Sequence, residues 1–274
     1  MSQGVVFTDI DGTLIDIFTG QFDATRALVK KLTESKIPLI LCSSKTKAEQ
    51  ELIREEAELS EPFIVENGGA IFLPLSYFDG TLNFKARKID NYQVIELGKP
   101  AAIIMSKLKE LRENYDLDFT AASEMSIDEL CKIALMEKEA ALRMIQREYG
   151  ETIVEINNRD FDKFVTKVED IGLKVISGGR FMDVTGGNNK GTAVKVLIDL
   201  FKYKYKYKNK VVFFGIGDSP NDESMLQLVD FPMLVQRTDG TWQSSHIERI
   251  MRLKGVGPEG WKLAFNEIMN YFKR

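Results

Sequence analysis

The sequence is poor in residues that serve disulfide, thiolate or histidine chemistry. It contains two cysteines and one histidine in 274 residues. Cys42 and Cys131 cannot form a disulfide framework or a four-thiolate zinc site. The single histidine, His246, excludes any mechanism that needs a cluster of histidines.

Long hydrophobic runs and an excess of positive charge are also absent. No stretch approaches about 18 apolar residues, so we expect no membrane-spanning helix and no membrane partner. The N-terminus lacks the basic and long apolar regions of an export signal, which favours a cytoplasmic protein. The formal net charge of −4 argues against a nucleic-acid partner, because such binding depends on excess positive charge.

One segment, 203–210, alternates tyrosine or asparagine with lysine. It could be a stacking strip for nucleic acid or a solvated helix end, where lysines are favoured by the helix dipole. The negative net charge favours the helix end.

The rest of the composition is that of an ordinary globular protein, with 44% hydrophobic and 28% charged residues. At about 150 residues per domain, the length predicts one large or two modest domains.

Short apolar runs at 5–10, 38–42, 63–65 and 211–216 predict strands buried on both faces. Helical spacing over 22–34 and 46–59 separates the first three. This alternation predicts a doubly wound parallel α/β sheet.

The alternation changes at Asn67-Gly68, a dipeptide that predicts a tight hairpin. We expect residues 85–186 to form an inserted α/β domain with helices over 101–115, 126–149 and 159–170. The core would then comprise 1–84 and 187–274, with a mostly helical tail from Gln243 onward. The two domains should meet at a cleft.

Paired carboxylates at the end of the first strand are the first chemical signal. Asp9 and Asp11 lie where α/β proteins bind ligands, at the carboxyl end of a strand. Two adjacent buried carboxylates repel each other and need a shared proton or a cation, for which a hard metal ion is suited. The alternative is an ordinary strand-end turn with a capping aspartate.

A second acidic turn, Gly217-Asp218-Ser219-Pro220-Asn221-Asp222, follows the strand at 211–216. Asp218 and Asp222 could complete an oxygen-rich Mg²⁺ site with the first pair. Ser43 ends another strand and Lys190 stands at a helix start; together with backbone N–H groups they could hold a phosphate. Taken singly, each of the two is better explained as a cap or surface residue.

In combination these stretches resemble the haloacid dehalogenase superfamily, whose four motifs they match in order. The insertion between the second and third motifs resembles the C2-type cap of its sugar-phosphate phosphatases. Further stretches resemble the mannosyl-3-phosphoglycerate phosphatases: Leu41-Cys42-Ser43-Ser44-Lys45-Thr46, Glu66-Asn67-Gly68-Gly69, Gly178-Gly179-Arg180-Phe181 with Asn189-Lys190-Gly191, and Gly255-Val256-Gly257-Pro258-Glu259-Gly260-Trp261.

The resemblance implies a role for each candidate residue. Asp9 would be the nucleophile and Asp11 the general acid and base. Mg²⁺ would be held by Asp9, Asp11 and Asp218, with Asp222 acting through a water. The phosphoryl group would be bound by Ser43, Lys190 and Asn221. The remaining candidates would contact the rest of the substrate, namely Lys45, Thr46, Glu66, Asn67, Gly68 and Arg180.

The expected reaction is hydrolysis of mannosyl-3-phosphoglycerate to mannosylglycerate and phosphate by a monomer or homodimer. Alternatives are phosphatases of glucosyl-3-phosphoglycerate, sucrose phosphate or hexose phosphates, a phosphomutase, or a non-catalytic sugar-phosphate sensor. A sensor should lack Asp9 or Asp11, and both are present.

Overall fold

A five-stranded parallel sheet forms the core of the computed structural model, which describes residues 2–78, 84–177, 181–208 and 210–273. The strand order is β13–β12–β11–β1–β2, and every neighbouring pair is parallel. The strands are β1 (Gln3–Thr8), β2 (Leu39–Leu41), β11 (Val211–Gly217), β12 (Phe231–Gln236) and β13 (Met251–Val256).

Helices cover both faces of this sheet, as the doubly wound prediction requires. Val6 of β1 packs in a hydrophobic cluster that includes Trp261, whereas Val5 and Phe7 point to an opposite cluster that includes Leu197. This alternation follows from the two-residue period of a strand. The helices of this part are α1 (Asp23–Glu34), α2 (Lys47–Glu56), α7 (Lys190–Lys204), α8 (Glu223–Leu226) and α9 (Pro258–Lys273).

A second, antiparallel sheet continues from the parallel one, in the order β3–β4–β6–β5. A parallel bridge between Cys42 and Ile64 joins it to β2. Its strands are β3 (Phe63–Val65), β4 (Ala70–Pro74), β5 (Arg87–Ile89) and β6 (Tyr92–Glu96). β3 and β4 form the predicted hairpin, but β5 and β6, assigned by the sequence to the insertion, pair with this core hairpin instead.

The inserted unit has its own antiparallel sheet, in the order β7–β8–β10–β9. Its strands are β7 (Phe119–Ala121), β8 (Gly150–Ile156), β9 (Lys174–Ser177) and β10 (Met182–Thr185), and its helices are α3 (Ala101–Tyr115), α4 (Ile127–Ala134), α5 (Lys138–Met144) and α6 (Phe161–Asp170). Ile104 of α3 and Phe164 of α6 are buried in one cluster with sheet residues. We therefore propose that the inserted domain runs from α3 to β10, starting later than residue 85.

Two segments predicted to be helical are helical only in part. The segment at 126–149 is interrupted at Leu135, which adopts a left-handed conformation (φ 50°) and ends α4. The tail from Gln243 contains helix α9 but also strand β13, which pairs with β12 at the sheet edge and buries only Leu253. Long-range pairing with β12 stabilises this strand, and local spacing does not record such pairing. The helix end predicted near 203–210 is confirmed, because α7 carries Lys202 and Lys204 in its last turn.

Candidate active site

The carboxyl ends of β1 and β11 bring the two acidic motifs together. In the parallel pair Thr8 lies opposite Ile216, whose carbonyl accepts a hydrogen bond from the Asp9 N–H at 2.9 Å. Carboxylate oxygens of Asp9, Asp218 and Asp222 lie within 4.8 Å of one another, and all three residues are buried. The strand-end motifs therefore converge on one acidic cluster.

Lys190 inserts its ammonium group into this cluster. It is the first residue of α7, a helix capped by Asn189, whose side chain accepts the Thr192 N–H. The Lys190 Nζ donates to Asp9 Oδ1 at 2.5 Å and to Asp222 Oδ1 at 2.7 Å. Its side chain is fully buried. Helix α7 thus places the Lys190 ammonium group between the carboxylates of Asp9 and Asp222.

Burial and charge shift the pKa values of this cluster. Burial raises the pKa of Asp9 to about 7, although attraction to Lys190 opposes the rise. The pKa of Asp218 is raised well above its usual range, first by burial and then by repulsion from Asp222. Burial would lower the pKa of Lys190, but attraction to Asp222 and Asp9 outweighs it and the pKa is raised. Lys190 is therefore charged at neutral pH.

The acidic cluster fits a hard divalent cation. Its three carboxylates face one buried ammonium, and such an excess of buried negative charge favours a bound cation. Asp222 is less available as a metal ligand, because its Oδ2 accepts the N–H groups of Asp218 and Ser219 at 3.0 Å each. Within the described part of the chain, Asp9 Oδ2 and Asp218 Oδ2 accept no hydrogen bond. These two oxygens are the available side-chain ligands.

Asp11 lies beside this cluster and is partly open to solvent. Its side chain is 33% exposed, and its Oδ2 is 3.1 Å from Lys45 Nζ. Lys45 also pairs with Glu49 at 3.4 Å. Burial would lower the pKa of Lys45, but attraction to Asp11 and Glu49 raises it. Lys45 is thus a charged neighbour of Asp11, a contact that the sequence did not predict.

Ser43 and Thr46 lie in the loop between β2 and α2. Both are buried, and Ser43 Oγ accepts the Lys45 N–H at 3.2 Å. Thr46 caps α2 in the predicted capping box with Glu49, and its hydroxyl donates to the Arg143 carbonyl at 2.9 Å. Because the Thr46 hydroxyl joins the core to the inserted unit, the structure does not favour its predicted contact with a substrate anion.

Glu66 joins the core to the inserted unit rather than facing a ligand. It is 1% exposed, and its carboxylate accepts the N–H groups of Glu148 at 2.8 Å and Tyr149 at 2.9 Å. Burial raises the pKa of Glu66 to about 7, while attraction to Arg147 opposes the rise. With both oxygens used in this way, the predicted sugar contact of Glu66 is not favoured.

Asn67 and Gly68 form the turn between β3 and β4. Both have positive φ, 54° and 85°, as the Asn-Gly signal requires. The Asn67 amide oxygen accepts from Asn221 Nδ2 at 3.0 Å, so a predicted phosphate-binding residue contacts this turn. A Cβ on Gly68 would lie 2.1 Å from the Asn189 carbonyl oxygen, beside Lys190. The absence of a side chain at Gly68 therefore allows the turn to pack closely against the start of α7.

Three further residues, to which the sequence patterns gave no role, shape this site. The Thr13 hydroxyl donates to Asp218 Oδ1 at 2.8 Å and so orients one carboxylate of the cluster. Arg147 and Asp183 of the inserted unit form an ion pair of 3.2 Å that reaches the core loops. Thr13 lies next to Gly12 in the first motif, whereas Arg147 and Asp183 carry no local signal.

Two cavities flank the turn that follows β11. One, of about 290 Å³, is lined by Asp218 and Arg237, and the other, of about 380 Å³, by Lys190 and Asn221. Ser177, at the end of β9 in the inserted unit, lines both. The site therefore lies at the junction of the two units. Arg180, three residues further on, falls outside the described residues, and its predicted carboxylate contact stays a prediction.

Among residues 2–78, 84–177, 181–208 and 210–273, no helix is both long and apolar enough to cross a membrane.

Comparisons with known proteins agree with this geometry. Residues 6–239 match the family described as haloacid dehalogenase-like hydrolase. A glucosyl-3-phosphoglycerate/mannosyl-3-phosphoglycerate phosphatase of Methanococcoides burtonii is 37% identical over 267 residues, which cover 97% of each chain. A mannosyl-3-phosphoglycerate phosphatase of Pyrococcus horikoshii is 36% identical over 231 residues, covering 84% of this chain and 90% of the relative.

A solved structure shares the whole architecture. The sucrose-phosphatase of Synechocystis, in complex with sucrose and phosphate, superposes with a TM-score of 0.59 at 13% identity. The match covers 98% of this chain and 99% of the other, so both core and inserted unit have counterparts. On the family match and the identity to curated relatives, the chain belongs to the haloacid dehalogenase-like hydrolase family and is a phosphatase of that family.

Proposed function

We propose that this phosphatase is Mg²⁺-dependent and hydrolyses the phosphomonoester of mannosyl-3-phosphoglycerate, giving mannosylglycerate and phosphate. The observation that carries the proposal is the buried Asp9–Lys190–Asp222 arrangement next to Asp218. It presents a carboxylate oxygen, a fixed ammonium and a cation site in one place. The relatives named above support the choice of substrate.

In the first half-reaction, Asp9 is the nucleophile. Lys190 contacts Asp9 through Oδ1 and favours the ionised carboxylate, while Oδ2 accepts no hydrogen bond within the described part of the chain. An Asp9 oxygen forms a bond to phosphorus as the bond between phosphorus and the glycerate oxygen breaks. Asp11 gives its proton to the departing glycerate oxygen. The product on the enzyme is an aspartyl-phosphate.

In the second half-reaction, Asp11 removes a proton from a water molecule, whose oxygen attacks phosphorus and releases Asp9. The partial exposure of Asp11 gives that water access. Lys45 Nζ, 3.1 Å from Asp11 Oδ2, holds the Asp11 side chain beside this water. Ser43 and Lys190 hold the phosphoryl group in both steps.

Mg²⁺ would be held by Asp9, Asp218 and the backbone carbonyl of Asp11. When bound, it neutralises phosphoryl oxygens and lets a carboxylate approach a dianionic substrate. Asp222 would orient this group of ligands through its contacts to Lys190 and to the Asp218 N–H.

Glucosyl-3-phosphoglycerate is a second candidate substrate, because the Methanococcoides relative is named for both sugars. The two compounds share the phosphate and glycerate and differ only in the sugar. The sequence expectation of a cytoplasmic monomer or homodimer stays a prediction.

The proposal is tested by phosphate release from a panel of compounds with Mg²⁺. The panel comprises mannosyl- and glucosyl-3-phosphoglycerate, 3-phosphoglycerate, sucrose phosphate and glucose 6-phosphate. We expect the highest kcat/KM for a glycosyl-3-phosphoglycerate. A preference for glucose 6-phosphate would overturn the substrate assignment while leaving the phosphatase chemistry in place.

Asp9→Asn tests the nucleophile. The variant keeps the shape of the side chain but removes the attacking carboxylate, so turnover should be abolished while the fold is retained. Thermal unfolding provides the check on folding. Phosphate release at the wild-type rate by Asp9→Asn would contradict the mechanism, and a wild-type protein that binds sugar phosphates without turnover would support the sensor alternative.

A further inference from the structure

A continuous chain of polar contacts crosses from the loop after β2 to the turn after β11 through the inserted unit. We call it the junction network; its members, in order, are Ser44, Arg147, Asp183, Asn67 and Asn221. Arg147 lies between α5 and β8, and Asp183 lies in β10. The inserted unit thus contributes two charged residues to the region behind the phosphate-binding loops of the core.

Arg147 forms the first half of the network. Its Nη2 donates to the Ser44 carbonyl at 3.1 Å and lies 3.2 Å from Asp183 Oδ1. The Arg147 and Asp183 side chains are only 7% and 12% exposed. Such a buried pair is rigid, because separating the charges leaves each one unpaired in a poorly solvated place. The Ser44 carbonyl lies between Ser43 and Lys45, so its position affects both.

Asp183 forms the second half by fixing the orientation of two amides. An ionised carboxylate only accepts hydrogen bonds. Its Oδ2 accepts from Asn67 Nδ2 at 2.9 Å, which turns the side-chain oxygen Oδ1 of Asn67 toward Asn221. That oxygen accepts from Asn221 Nδ2 at 3.0 Å, and Asn221 Oδ1 accepts from the Ser219 hydroxyl at 2.8 Å.

We propose that Arg147 and Asp183 are positioning residues for phosphoryl transfer. They hold the Ser43–Lys45 loop and Asn221 in fixed positions relative to each other. The inserted unit then does more than select the substrate: it completes the alignment of two core loops. The proposal rests on the proposed phosphatase chemistry, but not on the identity of the sugar.

Arg147→Gln and Asp183→Asn test the two halves of the network. Gln removes the charge and the planar fork of Arg147. Asn replaces one acceptor oxygen of Asp183 with an NH₂ group. In either orientation this group meets donors, which are Arg147 and Thr152 at the position of Oδ1 and Asn67 at the position of Oδ2. We expect kcat/KM to fall about 10- to 100-fold, since small displacements of positioning groups have effects of that size.

The readout separates positioning from substrate contact. Each variant is assayed with mannosyl-3-phosphoglycerate and with p-nitrophenyl phosphate, which share only the phosphoryl group. A positioning role lowers kcat/KM by the same factor for both and weakens inhibition by vanadate, an analogue of the phosphoryl-transfer transition state. Because the residues form one pair, the double variant should lose no more than the worse single variant.

Arg112→Gln is the matched control. Arg112 is a paired arginine of the same inserted unit, bound to Glu124 at 2.6 Å and placed over the Phe119 ring. It touches no member of the junction network, so kcat/KM should stay unchanged. Arg147→Lys keeps the charge without the fork, and we expect an intermediate loss.

Asn67→Gly covers the case in which Arg147 and Asp183 variants fail to fold. Glycine keeps the left-handed backbone of this position (φ 54°) and removes only the amide that links Asp183 to Asn221. Weaker vanadate inhibition and a lower kcat/KM for both substrates support the network.

Folded variants with wild-type kcat/KM would overturn the proposal, as would a loss confined to mannosyl-3-phosphoglycerate. If the wild-type protein cleaves p-nitrophenyl phosphate but not the glycosyl substrate, and the variants still lose activity, the network stands. In that outcome the substrate assignment alone fails.

Discussion

At the scale of single residues, Lys190 balances the charge of the site. It is the sole cation that contacts the Asp9–Asp218–Asp222 cluster within the described part of the chain, through Asp9 and Asp222. The sequence indicated Lys190 only as a helix-start lysine that could hold a phosphate. The structure adds a second role, since the same ammonium compensates two buried carboxylates.

Lys190→Met should destabilise the protein by about 3–5 kcal/mol near neutral pH, because it leaves buried carboxylates without their counter-ion. The loss should be smaller in acid, where Asp9, whose pKa is raised by burial, can take up a proton. Urea unfolding at two pH values measures both effects.

Lys262→Met provides the control for that measurement. Lys262 pairs with Glu259 at 2.6 Å, but both side chains are exposed, and such pairs contribute about 0–1 kcal/mol. Equal losses for Lys190→Met and Lys262→Met would contradict the role of burial.

At the scale of elements, helix α2 shows what local sequence can specify. Thr46 and Glu49 form the predicted capping box, and α2 begins at Lys47. α3 likewise begins and ends at the residues expected from its spacing. Both helices rest on contacts within a few residues of chain, which a sequence pattern records. α4 ends earlier than predicted because Leu135 adopts a left-handed conformation. A leucine in the sequence does not predict such a conformation.

Gly68→Ala should disrupt the turn after β3 and, through it, α7. The added Cβ would lie 2.1 Å from the Asn189 carbonyl, which must move and displace the start of the helix that carries Lys190. We expect a loss of about 1–3 kcal/mol from overpacking, together with lower phosphatase activity. Thermal unfolding and the phosphate-release assay measure the two effects.

Gly172→Ala separates steric overlap from backbone strain. Gly172 also has a positive φ, 71°, but no atom lies within 4 Å of its Cβ position. The variant should show the modest strain alone, with activity retained. If both alanine variants behaved alike, the close approach of Gly68 to α7 would have no special importance.

At the scale of the whole molecule, several carboxyl groups are buried where the core meets the inserted unit. The pKa of Asp9 rises from 3.8 to about 7, and that of Glu66 from 4.5 to about 7, burial being the larger cause in each case. Between about pH 4 and 7 the folded chain therefore binds more protons than the unfolded chain. Stability then falls as the pH rises through this window.

We expect the metal-free protein to have a lower Tm at about pH 8 than at about pH 5. Mg²⁺ should raise the Tm more at the higher pH, because it binds carboxylates rather than protonated acids. Unfolding with EDTA or with Mg²⁺ at both pH values measures this, and Asp218→Asn should remove most of the response to Mg²⁺. A metal-free Tm that rises with pH would show that these groups are not protonated in the fold.

The doubly wound core and the meeting of Asp9 with Asp218 could both be predicted from the sequence. Both follow from local facts: apolar runs of strand length, and polar turns at the carboxyl ends of parallel strands, which meet at one edge of the sheet. The folded structure was needed to show that β13 extends the sheet at its edge, that Lys45 pairs with Asp11, and that Glu66 joins the two units. It also brings Arg147 to the loop of Ser44 and Asp183 to the turn of Asn67. These contacts join residues far apart in the chain, and their partners are selected by packing geometry and by the need to pair buried charges.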